Sequence, residues 1–319
     1  MLQRRFLTAV AFCLAASSAV AQDWPPSTTR IVTPFAAGGA ADTVSRALAQ
    51  RLQEQLKSSF IVENRTGAGG NLGSEVVAKA APDGTTFLFG SDHLTISKAL
   101  YPRLTYDTFK DLMPVVLVST GPHVLLAHPS VPVSNVRELI ALAKREPGKY
   151  AYASAGTGTA QHLFGEMFKR AAGIDLIHVP YKGGAPAIQD LIGGQVGLGV
   201  IGLPPVVSHI AQGRLKALAV TSTARSPLLP DVPSIQEVLP GLSSVQWLGL
   251  FAPAGTDPKV IGRLREEVAK ALTHPDMKQR LTQIGATAAD LGPAEFGKFM
   301  QQDYQAWSKV IKESGTKVE

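Results

Sequence analysis

Along this chain, apolar runs of four to six residues alternate with longer segments whose apolar positions recur every three or four residues. Arg30–Pro34 reads as a strand, and Asp42–Lys57 as a helix with Val44, Leu48, Leu52 and Leu56 on one face. A strand at Phe60–Glu63 and a helix at Leu72–Ala80 follow. The turn Pro82-Asp83-Gly84 then leads into a strand at Thr85–Phe89. Strand, helix, strand, helix, strand in this order predicts a parallel βαβαβ unit.

The same alternation resumes further on. Val124–Ala127, Tyr150–Ala153, Leu176–Val179, Val196–Ile201 and Leu215–Val220 read as strands. Helices are predicted at Val136–Lys144, capped by Ser134, at Ala160–Ala172 and at Ala185–Ile192. A strand at Val245–Ala252 runs into PAGTDP, where Asp257 caps a helix that has Pro258 at its first position. Helices at Val260–Leu272, Pro275–Ile284 and Ala294–Glu313 close the sequence. The two halves echo each other: IVTPFAAGGAADTVSRAL and YAYASAGTGTAQHLFGEMF both run strand, small-residue loop, amphipathic helix. The pattern predicts an α/β fold of two similar lobes, each a mostly parallel sheet flanked by helices. A ligand cleft would lie between the carboxyl ends of their strands.

Composition changes this picture at the amino terminus. Arg4 and Arg5, the apolar stretch Phe6–Val20 and the small-x-small triplet Ala19-Val20-Ala21 form the pattern of a secretory signal peptide, with cleavage expected after Ala21. The stretch is shorter than the roughly 20 residues of a membrane span. Cys13, the only cysteine, lies inside it, and Phe12 is too large for the residue before a lipidated cysteine. The remainder then has neither a disulfide nor a thiolate metal site, which suits the bacterial periplasm. Removing 21 of the 319 residues leaves 298, enough for two domains, and lowers the formal charge from +6 to +4. That charge is dispersed, with no basic run and no interleaved aromatics, so nucleic acid is not an expected partner.

The loops carry the candidate chemistry. The first amides of a helix lack intrahelical partners and sit at the positive end of its dipole. Small residues let an anion approach them. In the first loop Gly38, Gly39, Ala40 and Ala41 lead into a helix that Asp42 is placed to cap. In the second, Ser154, Thr157 and Thr159 add hydroxyls to the amides of Gly156 and Gly158. Neither 34–45 nor 153–162 contains a Lys or Arg, so a carboxylate held by neutral dipoles fits better than a phosphate. A third loop, ENRTGAGGNLG, misplaces the last glycine of a dinucleotide fingerprint and reads as a packing turn in the cleft wall.

Catalytic patterns are poor. Tyr152 stands where a nucleophile elbow around Ser154 would need glycine. His162 and Glu166 are one helical turn apart with no third metal ligand nearby, which favours a first-turn histidine bonding its own loop. His93, after the strand at Thr85–Phe89, faces the expected cleft from a loop.

At these residues the chain resembles the Bug-type periplasmic receptors of tripartite tricarboxylate transporters. The markers are VTPFAAGGAAD, VENRTGAGGNLGSEVVAKAAPDG, YASAGTGTAQHLFGEMF, HVPYKGGAPAIQDLIGGQV, LAVTSTARSPLLPDVPSI and GLFAPAGT, spread from Trp24 to Lys312. The resemblance implies two hinged lobes, 22–121 plus 249–319 and 122–248, closing over a small carboxylate. It places the ligand loops at Phe35 through Asp42, with Ala36 among them, and at Ser154 through Thr159, with Phe35 covering the ligand. It implies a monomer without a cofactor or catalysis, which hands its ligand to membrane permease subunits. Docking on a membrane kinase, as a sensor, would use the same site, and a periplasmic hydrolase remains the enzymatic alternative. Many members carry Asp-Asn where this chain has Ile201-Gly202. Losing that carboxylate implies a preference for mono- or dicarboxylates with apolar or aromatic bodies over amino acids, unless Asp92 and His93 restore polarity.

Overall fold

The computed structural model describes residues 24–316; the expected signal peptide lies outside the described residues. The chain forms β1 (Thr28–Thr33), α1 (Ala40–Leu56), β2 (Ser59–Asn64), α2 (Asn71–Ala78), β3 (Thr86–Ser91) and α3 (His93–Leu100). It continues through β4 (Leu112–Ala127), α4 (Val136–Arg145), β5 (Ala151–Ser154), α5 (Ala160–Ala172), β6 (Ile177–Pro180), α6 (Gly184–Ile192) and β7 (Leu198–Gly202). The last elements are α7 (Val207–Ala211), β8 (Lys216–Val220), β9 (Val245–Pro253), α8 (Pro258–Thr273), α9 (Pro275–Gln283), β10 (Thr287–Leu291) and α10 (Pro293–Ser314).

The strands run in the order β2-β1-β3-β9-β4-β7-β5-β6, with β8 and β10 pairing onto β4. Pairs β1·β2, β1·β3, β5·β6 and β5·β7 are parallel, as the crossover helices require. The two parallel units are joined through the long antiparallel strands β4 and β9. The first part of β4 pairs with β9, and from His123 onward it pairs with β7 and β8. Around Gly121-Pro122 one strand thus passes from one unit to the other.

Both faces of these strands are covered, which explains their nearly continuous apolar runs. Ile31, Phe87, Phe89 and Leu250 pack on one side against Val44, Leu48 and Leu52 of α1 and Leu264 and Val268 of α8. Val32, Leu88 and Phe251 point the other way, onto Trp247, Phe296 and Met300. The second unit repeats the scheme, with Leu125, Tyr152, Leu198 and Val200 on one side and Val124, Ala153 and Ile201 on the other.

Three departures from the sequence pattern have local causes. The first part of β4 hides behind Pro114, Gly121 and Pro122, of which Pro114 sits at an irregularity in register. The short helix α3 starts at His93 and is almost wholly buried, so its face is not amphipathic. The cap of α4 is Asn135, whose side chain accepts from Glu138 N–H at 3.0 Å, while Ser134 donates its own N–H to Glu138.

Gly249 on β9 exposes how tightly this core is filled. A Cβ there would lie 2.4 Å from Phe296 and 2.9 Å from the carbonyl oxygen of Val116. Gly249→Val is therefore expected to destabilise the protein by about 1–3 kcal/mol or more, read from urea unfolding. Adding Phe296→Leu should recover part of that loss, and no recovery would mean that the backbone contact dominates.

Candidate functional site

Three helix starts converge on one cavity. The start of α1 follows a strand end and the loop 34–39, and Gly39 is its N-terminal boundary with no side-chain cap. Thr43 N–H reaches back to Gly39 O, so the amides of Ala40 and Ala41 precede the first intrahelical bond. The start of α5 is bounded by Thr159, whose hydroxyl accepts from His162 N–H; the amides of Ala160 and Gln161 stay free of intrahelical partners. The start of α6 is bounded by Gly183, again without a side-chain cap, and Pro186 at its third position has no N–H to satisfy. Phe35, Gly39, Ala40, Ala41, Thr159, Ala160, Gln161 and Gly184 all line the cavity. Among the described residues these leading amides of Ala40, Ala41, Ala160, Gln161 and Gly184 have no acceptor.

No Lys or Arg lines the cavity; its remaining wall comes from strand ends. Asp92 follows β3, Gly202 ends β7, and His123 stands opposite Gly202 in the β4·β7 register. Gln246, near the start of β9, completes this side. Burial, helped by the carboxylate of Asp303, raises the pKa of Asp92 well above the ordinary carboxyl value. Burial also pushes His123 down to about 3, so its ring is neutral at physiological pH. Among the described residues no three His, Cys, Asp or Glu side chains gather closely enough to hold a metal ion.

Of the residues singled out in the sequence, Phe35, Gly39, Ala40, Asp92, Thr159 and Gly202 line this cavity. Others brace it. Asp42 is at the third position of α1, not at its cap, and is almost fully buried. Its carboxylate accepts from Gly38 N–H at 2.8 Å, from Asn64 at 2.9 Å and from Arg46 at 2.9 Å. The Gly38 amide is thereby occupied within its own loop. Ala36 donates its N–H to Lys182 O at 3.2 Å.

Ser154 and His162 are buried and do not line this cavity. Ser154 Oγ lies 2.6 Å from His178 Nε2 and accepts from Gly156 N–H. His162 accepts from Gly158 N–H through Nδ1 and stacks on His178 with ring centroids 4.1 Å apart. Gly156 and Thr157 line a neighbouring cavity with Gly67, Gly70 and Tyr101. There the third glycine loop meets the second: Tyr101 Oη donates to Thr157 O, and a Cβ on Gly69 would come within 2.4 Å of that oxygen. His93 is fully buried at the start of α3, not on a loop. It is held between Ser91 and Ser74 and lies edge-on to Phe35. Burial lowers it to about 3 as well.

Sequence reasoning missed the α6 start, although the glycine pair in YKGGAPA carries the same signal as the other two loops. It also missed His123 and Gln246, which lie on strands whose pattern reports only burial.

The family model described as tripartite tricarboxylate transporter family receptor matches residues 44–316. The chain belongs to this receptor family. Among solved structures, the periplasmic binding protein BugD is 34% identical, with a TM-score of 0.90 over 93% of this chain and 100% of that one. R. palustris Rpa4515 with adipate is 34% identical, with a TM-score of 0.89 over 92% and 99%. MatC from Rhodopseudomonas palustris with bound malate is 33% identical, with a TM-score of 0.86 over 90% and 100%. The receptor thus has the two-lobed fold of the periplasmic binding proteins, and no helix among its described residues is long and apolar enough to cross a membrane.

Asp42 gives this site a measurable acid dependence. Burial alone would raise its pKa, but hydrogen bonds from Arg46, Gly38 and Asn64 outweigh that and hold it below the ordinary value. A depressed carboxyl stabilises the fold above its unfolded pKa of about 3.9, and that contribution is lost as pH falls through the folded value. Asp42→Ala is expected to lose about 2–3 kcal/mol at pH 7 in urea unfolding. Its deficit relative to the parent should shrink below about pH 4; a deficit independent of pH would rule out this account.

Proposed function

We propose that the receptor captures a small organic carboxylate between its lobes and delivers it to the membrane permease subunits of a tripartite tricarboxylate-type transporter. The observation that carries this reading is the convergence of three helix starts with open leading amides on one cavity without a Lys or Arg. Free amides at positive dipole ends stabilise an anion without the solvation cost of a buried cation. The adipate and malate of the two Rhodopseudomonas relatives support a carboxylate as the ligand class.

In this arrangement the amides of Ala40, Ala41, Ala160, Gln161 and Gly184 receive the carboxylate, and Phe35 covers it. Ala36, Gly38 and Asp42 shape the first loop; Ser154, Gly156, Thr157, Gly158 and His162 shape the second. Lobe one comprises 22–121 and 249–319 and lobe two 122–248, a division supported by the passage of β4 between units at Gly121-Pro122. The mature chain begins after Ala21 and works as a periplasmic monomer without catalysis. Ligand binding shifts the population toward a closed form that the permease reads. Ile201 and Gly202 leave no carboxylate on β7 to meet an ammonium, so amino acids are disfavoured.

Thermal unfolding of the ligand-stripped mature protein against mono-, di-, tri- and aromatic carboxylates tests the class. Ligand at about 100 times its Kd adds roughly 2.7 kcal/mol, a rise of several degrees. Amino acids should give none, and silence from every carboxylate would sink the reading.

Gly39→Val tests the loop itself. A Cβ at Gly39 lies 3.6 Å from Gly184 N, so the branched side chain presses on the α6 start and fills the approach to the free amides. Binding should be lost while the unfolding midpoint without ligand changes little. Unchanged affinity would reduce the first loop to a turn.

A further inference from the structure

Two buried side chains in the cavity wall carry polar atoms without hydrogen-bond partners among the described residues. Asp92 is 3% exposed, and its Oδ2 has no hydrogen bond among the described residues; His123 is fully buried, and neither ring nitrogen has one. Both line the cavity. Asp92 Oδ2 and His123 Nε2 stand 3.9 Å apart. That gap is too long for a direct hydrogen bond, yet one atom about 2.8 Å from each would bridge them.

Buried polar groups in folded proteins are paired, and an exception in a cavity wall calls for a partner from outside the chain. The remaining neighbour of Asp92 that bears charge is Asp303, itself engaged by Thr95 and Trp247. No cation lines the cavity.

We propose that Asp92 and His123 form a hydroxyl-recognition subsite, which makes the physiological ligand a hydroxycarboxylate. Its carboxylate lies on the free amides of the helix starts and its hydroxyl between Asp92 Oδ2 and His123 Nε2. The inference rests on the carboxylate-receptor reading of the same cavity. A hydroxyl both donates and accepts, so it can accept from whichever of the two atoms carries a proton while donating to the other. A second carboxylate only accepts, and nothing in the wall balances its charge. An ammonium only donates. It would also place a cation among the positive ends of three helices.

The test is calorimetric titration of the ligand-stripped mature protein with butyrate, its 2-, 3- and 4-hydroxy derivatives, 4-aminobutyrate and succinate. One hydroxybutyrate is expected to bind about tenfold or more tighter than butyrate, because a site built to bond a hydroxyl rejects the analogue that lacks it. In His123→Phe that ratio should fall to about one. Asp92→Asn keeps a donor and an acceptor in place and should retain most of the preference. Butyrate binding as tightly as every hydroxybutyrate, or 4-aminobutyrate or succinate binding tightest, overturns the proposal on the wild-type protein alone, whether or not a variant folds. An undiminished ratio in a folded His123→Phe overturns it too. If none of these six compounds binds while another carboxylate raises the unfolding temperature, the hydroxyl subsite is wrong and the receptor reading stands. Silence in both experiments removes the receptor reading itself.

Discussion

A helix cannot bond its own first amides, and this receptor leaves those amides open where three helices meet. Most proteins cover such donors with Ser, Thr, Asp or Asn at the cap. Here α1 and α6 begin at glycines without any side-chain cap, and at α5 the cap hydroxyl of Thr159 serves the third amide and leaves the first two exposed. The small residues around the cavity follow from this constraint. Any larger side chain at Gly39, Ala40, Ala160 or Gly184 would stand in front of these open amides.

Open donors must also be held still, and much of the polar structure nearby does that. Asp42 ties Gly38, Asn64 and Arg46 into one network that fixes the first loop. Gln161 accepts from Ala155 N–H and His162 from Gly158 N–H, fixing the second. On the proposed lobe division, the bonds Ala36 N–H to Lys182 O and Tyr101 Oη to Thr157 O cross the cleft. On that division they tie one lobe to the other, and Phe35 lies between the cavity and the buried His93.

The strand-end side of the cavity works by a different rule. It joins Asp92, His123 and Gln246 to apolar Ile201, with neither Lys nor Arg. Neutral dipoles can bind one carboxylate, but the same wall would strongly penalise a second unbalanced charge. On the proposed reading, selectivity at this end depends on donors and acceptors placed by β3, β4 and β9.

The sequence by itself determined the alternating α/β pattern, most strand and helix positions and the two glycine loops. Periodicity and turn chemistry are local properties, legible within a few residues. It also carried the family, because its marker stretches are contiguous. What only the tertiary structure decided were the long-range meetings. β4 reads as broken by proline and glycine, yet it links both units because β9, β10, β7 and β8 supply its partners along its length. Asp42 looked like a cap and proved a brace, since Asn64, at the end of β2, reaches it only after folding. His93 looked like a loop residue facing the cleft and is enclosed at the start of α3, while His123, silent in a buried strand, reaches the cavity. Whether a side chain meets ligand, solvent or core depends on elements distant in sequence, and no local pattern records that distance.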